Sequence, residues 1–398
     1  MSGSKIIILS KGEADTYLTA DSNHSFFKSN NKTYSYFAQN WHVVSPGSDF
    51  KFDGATNTNI RLPLEGDLIS KMLLRINING TGLDDATGKN YALQLIDTIT
   101  FKYNDQVLST LDYNYISMYH KLNCEHVEYK KFTDMVSVNT RSLENTFPGI
   151  NQTTDGNFLY VPLPFWFTKN PGSAFPIWLL NNPRLTVDIK LRDTTKIQGL
   201  DLLIQYTNLL SKEKDVFKTS SLEYLIEQVD VVNKTDFVSQ KSVKVELPKD
   251  KYVKYLLWNV LDTNVTNNLT SNSDVIEKTS ILLNGNPVLN NAHKSITSLI
   301  NRYNYFNVPY VTGFDFYNDT MAKYEKYTDK NDLNIHIQSF CLDPMKFQSS
   351  GFLTTDKFNN FTLEINTNGT AKSGTLHIYI IKHNILRIKD GVLNLQHN

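Results

Sequence analysis

Apolar and polar residues alternate with a period of two in many short runs along this chain. Because successive side chains of a strand point to opposite faces, such runs predict strands with one face in a core and one in solvent. Clusters of Asn, Asp, Gly and Pro separate the runs, and no long helical patterns alternate with them. The pattern therefore predicts an all-β fold, a sandwich or a barrel rather than a parallel α/β sheet. The runs are Ile60–Leu64, Leu74–Ile78, Leu185–Leu191, Val243–Leu247, Ile335–Ile337, Phe361–Ile365 and Leu376–Ile380.

One strand-turn-strand pattern occurs twice, about half a chain length apart. Ile96–Leu108 and Ile276–Leu289 each contain an apolar run, a polar pair suited to a tight turn and a short apolar return. The segments Leu185–Ile189 and Phe361–Ile365 are a second similar pair. Their offset is 176 residues, and the offset of the first pair, from Ile96 to Ile276, is 180 residues. Two matched pairs at nearly equal offsets predict a tandem duplication, that is, two similar all-β domains. The polar pairs are Asn104-Asp105 and Asn284-Gly285.

Helical patterns are sparse. Leu111–Leu122 is compatible with a short helix that carries apolar residues on one side. The charged piece Ser211–Lys218 is also compatible with a helix, and it lies between the strand-like runs Leu200–Leu210 and Leu222–Val232. We therefore place the junction between the two domains at this charged segment.

Three long connections follow no regular pattern: Asn123–Asn157, Thr263–Asp274 and Val308–Asp332. In compact domains, loops of this length are usually functional or packed against partners. On a sandwich they would gather at the ends of the strands, where they form a top surface or the walls between subunits.

Composition narrows the class of protein. A length of 398 residues favours two domains, and each is large enough to bury a core. Forty basic and forty acidic residues give a formal net charge of zero, which disfavours a role dominated by contacts with nucleic-acid phosphates. Cys124 and Cys341 are too few for a disulfide framework and favour a reducing compartment. No run is long and apolar enough to span a bilayer, and Ile6–Leu9 is too short for a signal peptide, so a soluble, non-secreted protein is expected.

The segment Gly82–Asn90 is the nearest candidate for a phosphate-binding loop. It has five residues between its glycines instead of four, ends in Asn where a magnesium-binding hydroxyl is needed, and carries the acidic pair Asp84-Asp85. A solvated hairpin loop is the better interpretation, and no nucleophile elbow is present in the sequence.

His120, Cys124 and His126 are residue types that bind zinc, but no second pair of ligands accompanies them. The simpler interpretation is two partly buried histidines and a buried free thiol. His377 and His383 fall on or near the last strands, and His377 is out of phase with Leu376 and its apolar neighbours. We expect His377 to face solvent or an interface, and we expect no catalytic residue, cofactor or metal.

The most distinctive segment of the chain is Leu159–Leu180, which combines several prolines with large aromatic residues. Its prolines exclude regular pairing in the middle of a sheet, and an Asn-Pro-Gly turn interrupts it. The aromatic residues imply burial, either within the domain or under a neighbouring subunit. This segment resembles the corresponding part of the double jelly-roll major capsid proteins of nucleocytoplasmic large DNA viruses, the relatives of iridoviruses, chloroviruses and mimivirus.

Other segments resemble the same family in the same order along nearly the whole chain. They are Asp15–Thr19, Phe26–Lys28, Phe37-Ala38, Leu95–Leu108, Glu223–Val229, Leu283–Gly285, Tyr303–Tyr310, Phe340–Pro344, Ser349–Gly351, Asn384–Ile388 and Gly391. Two departures are the compact length and Asn307–Tyr310, which lacks the His-rich continuation common in relatives.

The resemblance implies two tandem eight-stranded antiparallel jelly rolls, at residues 24–210 and 221–390. An N-terminal arm (1–23), a linker (211–220) and a C-terminal tail (391–398) complete the expected organisation. It further implies that the protein is structural and not an enzyme. The expected assembly is a homotrimer, a pseudo-hexagonal capsomer that tiles an icosahedral virion shell, and the shell is assembled in the host cytoplasm.

The partners that the resemblance implies are the chain itself, neighbouring capsomers, minor capsid proteins and an inner membrane, with no direct nucleic acid contact. Besides a cupin-like enzyme, which is the weakest option, two alternatives stay open at this point. One is a minor capsid or scaffold paralogue of the same fold. The other is a carbohydrate-binding jelly-roll lectin on the virion surface, for which Tyr303 and Tyr305 beside Asn304 are the candidate residues.

Overall fold

Strands predominate in the computed structural model of the chain. It describes residues 3–22, 25–29, 31–47, 57–78, 90–138, 157–218, 222–238, 242–250, 252–262, 275–306, 334–367 and 373–397. Its contacts divide the chain into an N-terminal unit, Met1–Tyr36, and a second unit, Phe37–Asn398. Except for Asn90, the segment Gly82–Asn90, for which a solvated hairpin loop was predicted, lies outside the described residues, as do most of the three long connections.

The N-terminal unit contains two short helices, α1 (Gly3–Leu9) and α2 (Glu13–Thr19). The amide of Gly12 donates to a carboxylate oxygen of Asp15 at 3.0 Å, which fixes the start of α2. Neither helix buries a residue within this unit, and the apolar run Ile6–Leu9 is exposed.

The first half of the second unit forms two antiparallel sheets. Sheet A has the strand order β1-β9-β3-β6, with the two-residue β7 paired to β3, and sheet B has the order β2-β8-β4-β5. If β7 is left out, the remaining described strands can be numbered one to eight along the chain. Sheet A then has the order one, eight, three, six, and sheet B has the order two, seven, four, five. This connectivity is that of a jelly roll. The strands are β1 (Phe37–Val44), β2 (Asn57–Arg61), β3 (Leu68–Ile78), β4 (Ile96–Tyr103), β5 (Gln106–Asp112), β6 (Asn157–Pro162), β7 (Phe175–Pro176), β8 (Leu185–Leu191) and β9 (Ile197–Leu209).

The second half repeats this connectivity. Sheet C has the order β10-β17-β12-β15, with β18 paired to β17, and sheet D has the order β11-β16-β13-β14. If β18 is left out and the other described strands are numbered in the same way, sheet C has the order one, eight, three, six. Sheet D then has the order two, seven, four, five. The predicted fold of two tandem eight-stranded jelly rolls is confirmed. The strands are β10 (Leu222–Val238), β11 (Ser242–Glu246), β12 (Val253–Asp262), β13 (Ile276–Leu283), β14 (Asn286–His293), β15 (His336–Ser339), β16 (Phe361–Thr367), β17 (Ser373–Lys389) and β18 (Val392–Leu395).

Six further α-helices lie in the described part of the second unit. They are α3 (Tyr91–Leu95), α4 (Tyr113–Asn123), α5 (His126–Val136), α6 (Trp166–Lys169), α7 (Ser211–Lys218) and α8 (Asn301–Tyr305). The helix predicted at Leu111–Leu122 is α4, and its start is capped by Asp112, whose carboxylate accepts from the Tyr115 amide at 2.7 Å. The charged segment between the two jelly rolls is α7, and the expected C-terminal tail contains β18.

The repeats found in the sequence are equivalent elements of the two jelly rolls. Ile96–Leu108 and Ile276–Leu289 lie in the hairpins β4–β5 and β13–β14, and the second matched pair lies in β8 and β16. Both hairpin turns have two successive residues with positive φ: 46° and 68° at Asn104 and Asp105, 50° and 80° at Asn284 and Gly285. This is the turn type whose twist matches that of paired strands, and Asn, Asp and Gly adopt it most easily.

Strand β17 is buried on both faces, which decides between the two positions predicted for His377, solvent and an interface. Leu376, Ile378 and Ile380 pack in the core of the second jelly roll, while Tyr379 and Ile381 join a core that extends into the first. His377 shares this latter face and is only 2% exposed, so it does not face solvent. The interface that covers it lies between the two halves of the same chain: the Tyr113 and His377 rings lie 6.3 Å apart.

Candidate functional site

The junction between the two jelly rolls contains several buried polar and charged residues. Helix α4, directly after β5, packs against the face of sheet C that points away from the core of the second jelly roll. The rings of Tyr115 on α4 and Tyr379 on β17 have centroids 5.6 Å apart. Apolar contact thus covers the junction and excludes water from its polar groups.

Four polar side chains are joined by hydrogen bonds across this junction. Asn114 and Asn259 form a reciprocal amide pair, with donor–acceptor distances of 2.9 and 3.1 Å between Nδ2 and Oδ1. The Asn114 amide also donates to the Tyr379 hydroxyl at 3.0 Å, and that hydroxyl donates to Asp112 at 2.7 Å. All four residues are at most 2% exposed. Since unpaired polar groups are costly in a dry interior, the network favours one relative position of the two jelly rolls.

A buried ionic cluster lies at the same junction. Lys169 from the first jelly roll donates to Glu227 on β10 at 2.8 Å, and Lys254 on β12 pairs with the other carboxylate oxygen. Lys254 is 0% exposed and also donates to the carbonyl of Lys346 at 3.2 Å.

The charges of this cluster support one another. Burial alone would raise the pKa of Glu227, but the two lysines outweigh it and lower the pKa to about 2. Burial would likewise lower the pKa of Lys169, and the Glu227 carboxylate outweighs it, so the pKa lies above the ordinary value. Glu227 and Lys169 therefore stay charged at neutral pH, and removal of one partner would leave a buried charge unpaired.

The aromatic segment Leu159–Leu180 supplies one side of this junction. Phe165, Phe167 and Phe175 surround Phe101 with ring centroids 5.2–5.7 Å apart, and all are at most 1% exposed. This packing fixes α6, whose last residue is Lys169. Of the two predicted forms of burial, the structure shows burial within the domain.

The candidate zinc ligands form no metal site in the described part of the chain. The His120 ring stacks on Phe132 with centroids 4.0 Å apart, and its Nδ1 lies 3.5 Å from the Sγ of Cys124. Burial lowers the pKa of His120 to about 4 and raises the pKa of the Cys124 thiol to about 11, so both are neutral at pH 7. His126 begins α5.

His383 is a second buried histidine. It is 3% exposed and lies opposite Glu227 across β10 and β17, and neither ring nitrogen has a hydrogen-bond partner among the described residues. Burial first, and the nearby Lys254 charge second, lower the pKa of its ring to about 4.

Sequence reasoning missed the junction residues. Lys254 and Asn259 are polar residues inside the apolar run Val253–Leu261, and both are fully buried. Polar residues within such a run are the signal that could have marked them, because their burial requires partners from another part of the chain. Of the two tyrosines considered for carbohydrate binding, Tyr303 is 79% exposed and Tyr305 packs against the core.

None of the helices in the described part of the chain combines the length and the hydropathy that crossing a bilayer requires.

Comparison with known proteins identifies two sequence families. Residues 25–225 match the family described as "Major capsid protein N-terminus", and residues 213–394 match "Large eukaryotic DNA virus major capsid protein". The chain is 23% identical to the major capsid protein of Pyramimonas orientalis virus over 412 residues, which covers 100% of both chains. It is 21% identical to the major capsid protein of Paramecium bursaria Chlorella virus 1 over 462 residues, which covers 98% of both.

Two solved structures share the fold. The capsid protein in the quasi-atomic PBCV-1 virus capsid superposes with a TM-score of 0.73 at 18% identity, covering 94% of this chain and 100% of that one. The Faustovirus major capsid protein superposes with a TM-score of 0.70 at 10% identity, covering 95% and 94%.

Proposed function

Because the chain belongs to the family of major capsid proteins of large eukaryotic DNA viruses, we propose that it forms a homotrimer of pseudo-hexagonal outline. In this proposal the trimer is the capsomer of an icosahedral shell. Each chain contributes two similar jelly rolls, so three chains present six similar units around one axis. Closed cyclic symmetry is the usual arrangement of homo-oligomers, and the internal duplication approximates the six-fold outline that close packing in a shell requires.

The observation that carries the proposal is the buried junction between the two jelly rolls. Six units make a regular hexagon only if the two units of each chain are held at a fixed angle. The amide pair Asn114–Asn259 and the cluster around Glu227 supply polar contacts that only one arrangement satisfies. Polar networks of this kind can specify a single arrangement at some cost in stability, and that is the role we assign to them here.

The activity proposed is structural, and we assign no catalytic residue. Interfaces between permanent subunits resemble a domain core cut in half, so trimerisation would bury apolar surface that the single chain exposes. A net charge of zero suits a protein that packs beside many copies of itself without long-range repulsion.

Mass photometry of the purified protein tests the trimer. A main species of three times the 45.6 kDa chain mass is expected. Monomers alone across a wide range of protein concentrations would refute the capsomer.

We further propose that the N-terminal arm joins the capsomer to minor capsid proteins and the inner membrane during assembly of the virion in the host cytoplasm. The support is the exposed apolar run Ile6–Leu9 at a chain end whose helices bury no residue within their own unit. Deletion of residues 2–23 should leave the trimer intact and impair assembly of the shell. Loss of the trimer on deletion would show that the arm acts in trimerisation instead.

A further inference from the structure

The face of sheet C that points away from the second core is covered inside the chain. Leu257 and Ile337 lie directly opposite each other on β12 and β15, and Leu257 lies opposite Tyr379 on β17. This apolar row is at most 1% exposed, because α4 of the first jelly roll packs on it.

Four residues of α4, among them Tyr115, which contacts Tyr379, lie on one helical face. They lie three, six, seven and ten residues after Asp112, the last residue of β5, which is the spacing of one helical face. They are Tyr115, Met118, Tyr119 and Leu122, of which three are at most 1% exposed and Tyr119 is half-buried.

The second jelly roll has a helical segment at the same place, directly after the hairpin β13–β14. It consists of a single π-helical turn, Ile296–Ile300, followed by α8. The residues three, six, seven and ten positions after His293, the last residue of β14, are Ile296, Leu299, Ile300 and Tyr303. All four are apolar or aromatic, as in α4, but their exposed fractions are 38, 53, 47 and 79%. We call these four residues the free stripe.

Sheet A has the matching uncovered face. Its strands β1, β9 and β3 occupy the positions that β10, β17 and β12 occupy in sheet C. Val43, Leu203 and Leu73 lie opposite one another across these strands and form an apolar row like that of sheet C. Val43 is 52% exposed, and Trp41 on the same strand face is 48% exposed. We call Trp41, Val43, Leu73 and Leu203 the free row.

We propose that the free stripe of one copy packs on the free row of a second copy, and so repeats between chains the contact that α4 makes within a chain. The duplication explains why the partner is a second copy of the chain. Each jelly roll has one helical stripe and one apolar row, and the contact within a chain covers only the stripe of the first jelly roll and the row of the second. Such a contact is heterologous, and rings are the closed form of heterologous contacts. Exposed apolar residues at helical spacing and on a sheet face are typical of interaction surfaces. The proposal rests on the homotrimer and names the surfaces that form it.

Crosslinking tests the contact directly. Leu203 lies 176 residues before Tyr379, which is also the offset between the strands β8 and β16, so Leu203 is the equivalent of Tyr379. Ile296 is the equivalent of Tyr115, because each lies three residues after the last residue of its hairpin. We therefore pair Ile296→Cys with Leu203→Cys and treat the protein with a short bismaleimide. Covalent species of two and three chains are expected on a denaturing gel. Each single-cysteine variant, which retains Cys124 and Cys341, is the control and should stay monomeric on the gel.

The possible results separate the two proposals. If mass photometry shows a trimer but the double variant gives no covalent species beyond the controls, the stated contact is wrong and the homotrimer stands. If the protein is monomeric throughout, the proposed function itself fails.

A charge variant gives a second, independent test. Leu299→Asp combined with Ile300→Asp should raise the concentration at which the trimer dissociates by about a hundred-fold, as expected when two central apolar residues of an interface are lost. Leu342→Asp, at a residue that is 84% exposed on the connection after β15, is the matched control and should leave it unchanged. Circular dichroism checks that each chain is folded. A folded double variant with the trimer stability of the parent would overturn the contact.

Discussion

Asn104 and Asn284 occupy the same place in the two jelly rolls and make the same pair of hydrogen bonds. The Asn104 amide donates to the Arg184 carbonyl at 2.9 Å, and the Arg184 amide donates to the Asn104 side chain at 2.9 Å. The Asn284 amide donates to the Asn360 carbonyl at 2.9 Å, and the Asn360 amide donates to the Asn284 side chain at 3.0 Å. Each asparagine thus joins a hairpin tip to the residue before the neighbouring strand, β8 or β16.

This relationship predicts a graded effect of substitutions at Asn104. Asn104→Gly keeps a residue that tolerates φ of +46° and loses only the side-chain acceptor, so it should cost about 1 kcal/mol of unfolding free energy. Asn104→Ala adds the strain of a left-handed backbone and should cost about 1–2 kcal/mol more. Urea denaturation measures both, and equal stability of the two variants would contradict the assigned role of the backbone.

The ionic cluster predicts a large loss of stability in Glu227→Gln. The variant keeps the shape of the side chain but leaves Lys169 and Lys254 buried without a counter-charge, so a loss of about 3–5 kcal/mol is expected. Glu364→Gln is the matched control, since its partner Lys244 is 66% exposed and the pair should contribute less than about 1 kcal/mol. Similar losses in the two variants, measured by urea denaturation, would mean that the cluster is not a special feature of the junction.

The amide network predicts that Tyr379→Phe weakens the connection between the jelly rolls. The change removes the hydroxyl that joins Asn114 to Asp112 and should cost about 1–3 kcal/mol. Since the lost bonds lie between the two halves, scanning calorimetry should show the single unfolding transition of the parent broaden or split. Tyr36→Phe, at an exposed residue, should change nothing. If the variant still unfolds in one sharp transition that is only shifted in temperature, the lost hydroxyl does not act on the junction between the jelly rolls.

The buried neutral histidines predict a loss of stability in mild acid. Burial lowers the folded-state pKa of His120 to about 4, below the ordinary 6.5, so the unfolded chain takes up a proton first as the pH falls. Stability is therefore fully present above pH 6.5 and declines between pH 6.5 and 4, by at most about 3 kcal/mol for this group. His383 acts in the same direction. Glu227, with a lowered pKa, adds a loss that begins only below its ordinary value of 4.5.

Variants separate these contributions to the acid response. His120→Gln should flatten the decline between pH 6.5 and 4, measured as the melting temperature at a series of pH values. His293→Gln, at an exposed residue, is the control and should retain the decline of the parent. An unchanged slope in His120→Gln would mean that His120 is not buried in its neutral form.

Local patterns of the sequence predicted the repeated hairpins, the helix α4 and an all-β sandwich or barrel, because alternation and turn residues act within a few positions. The jelly-roll fold was predicted from the resemblance to the capsid protein family. The burial of His377 and the pairing of Lys254 could not be read in this way. Both depend on contacts between residues that are distant in the chain, such as Tyr113 with His377 and Lys169 with Glu227. The phase of His377 was identified correctly, and of the two predicted positions it lies at an interface, because the first jelly roll covers that face of β17.

Single-particle imaging of the purified protein in negative stain tests whether three chains form a pseudo-hexagonal capsomer. Particles with three-fold symmetry and a pseudo-hexagonal outline are expected, in which six similar lobes surround one axis. Particles that remain single and two-lobed at every concentration, or that assemble with another symmetry, would contradict it.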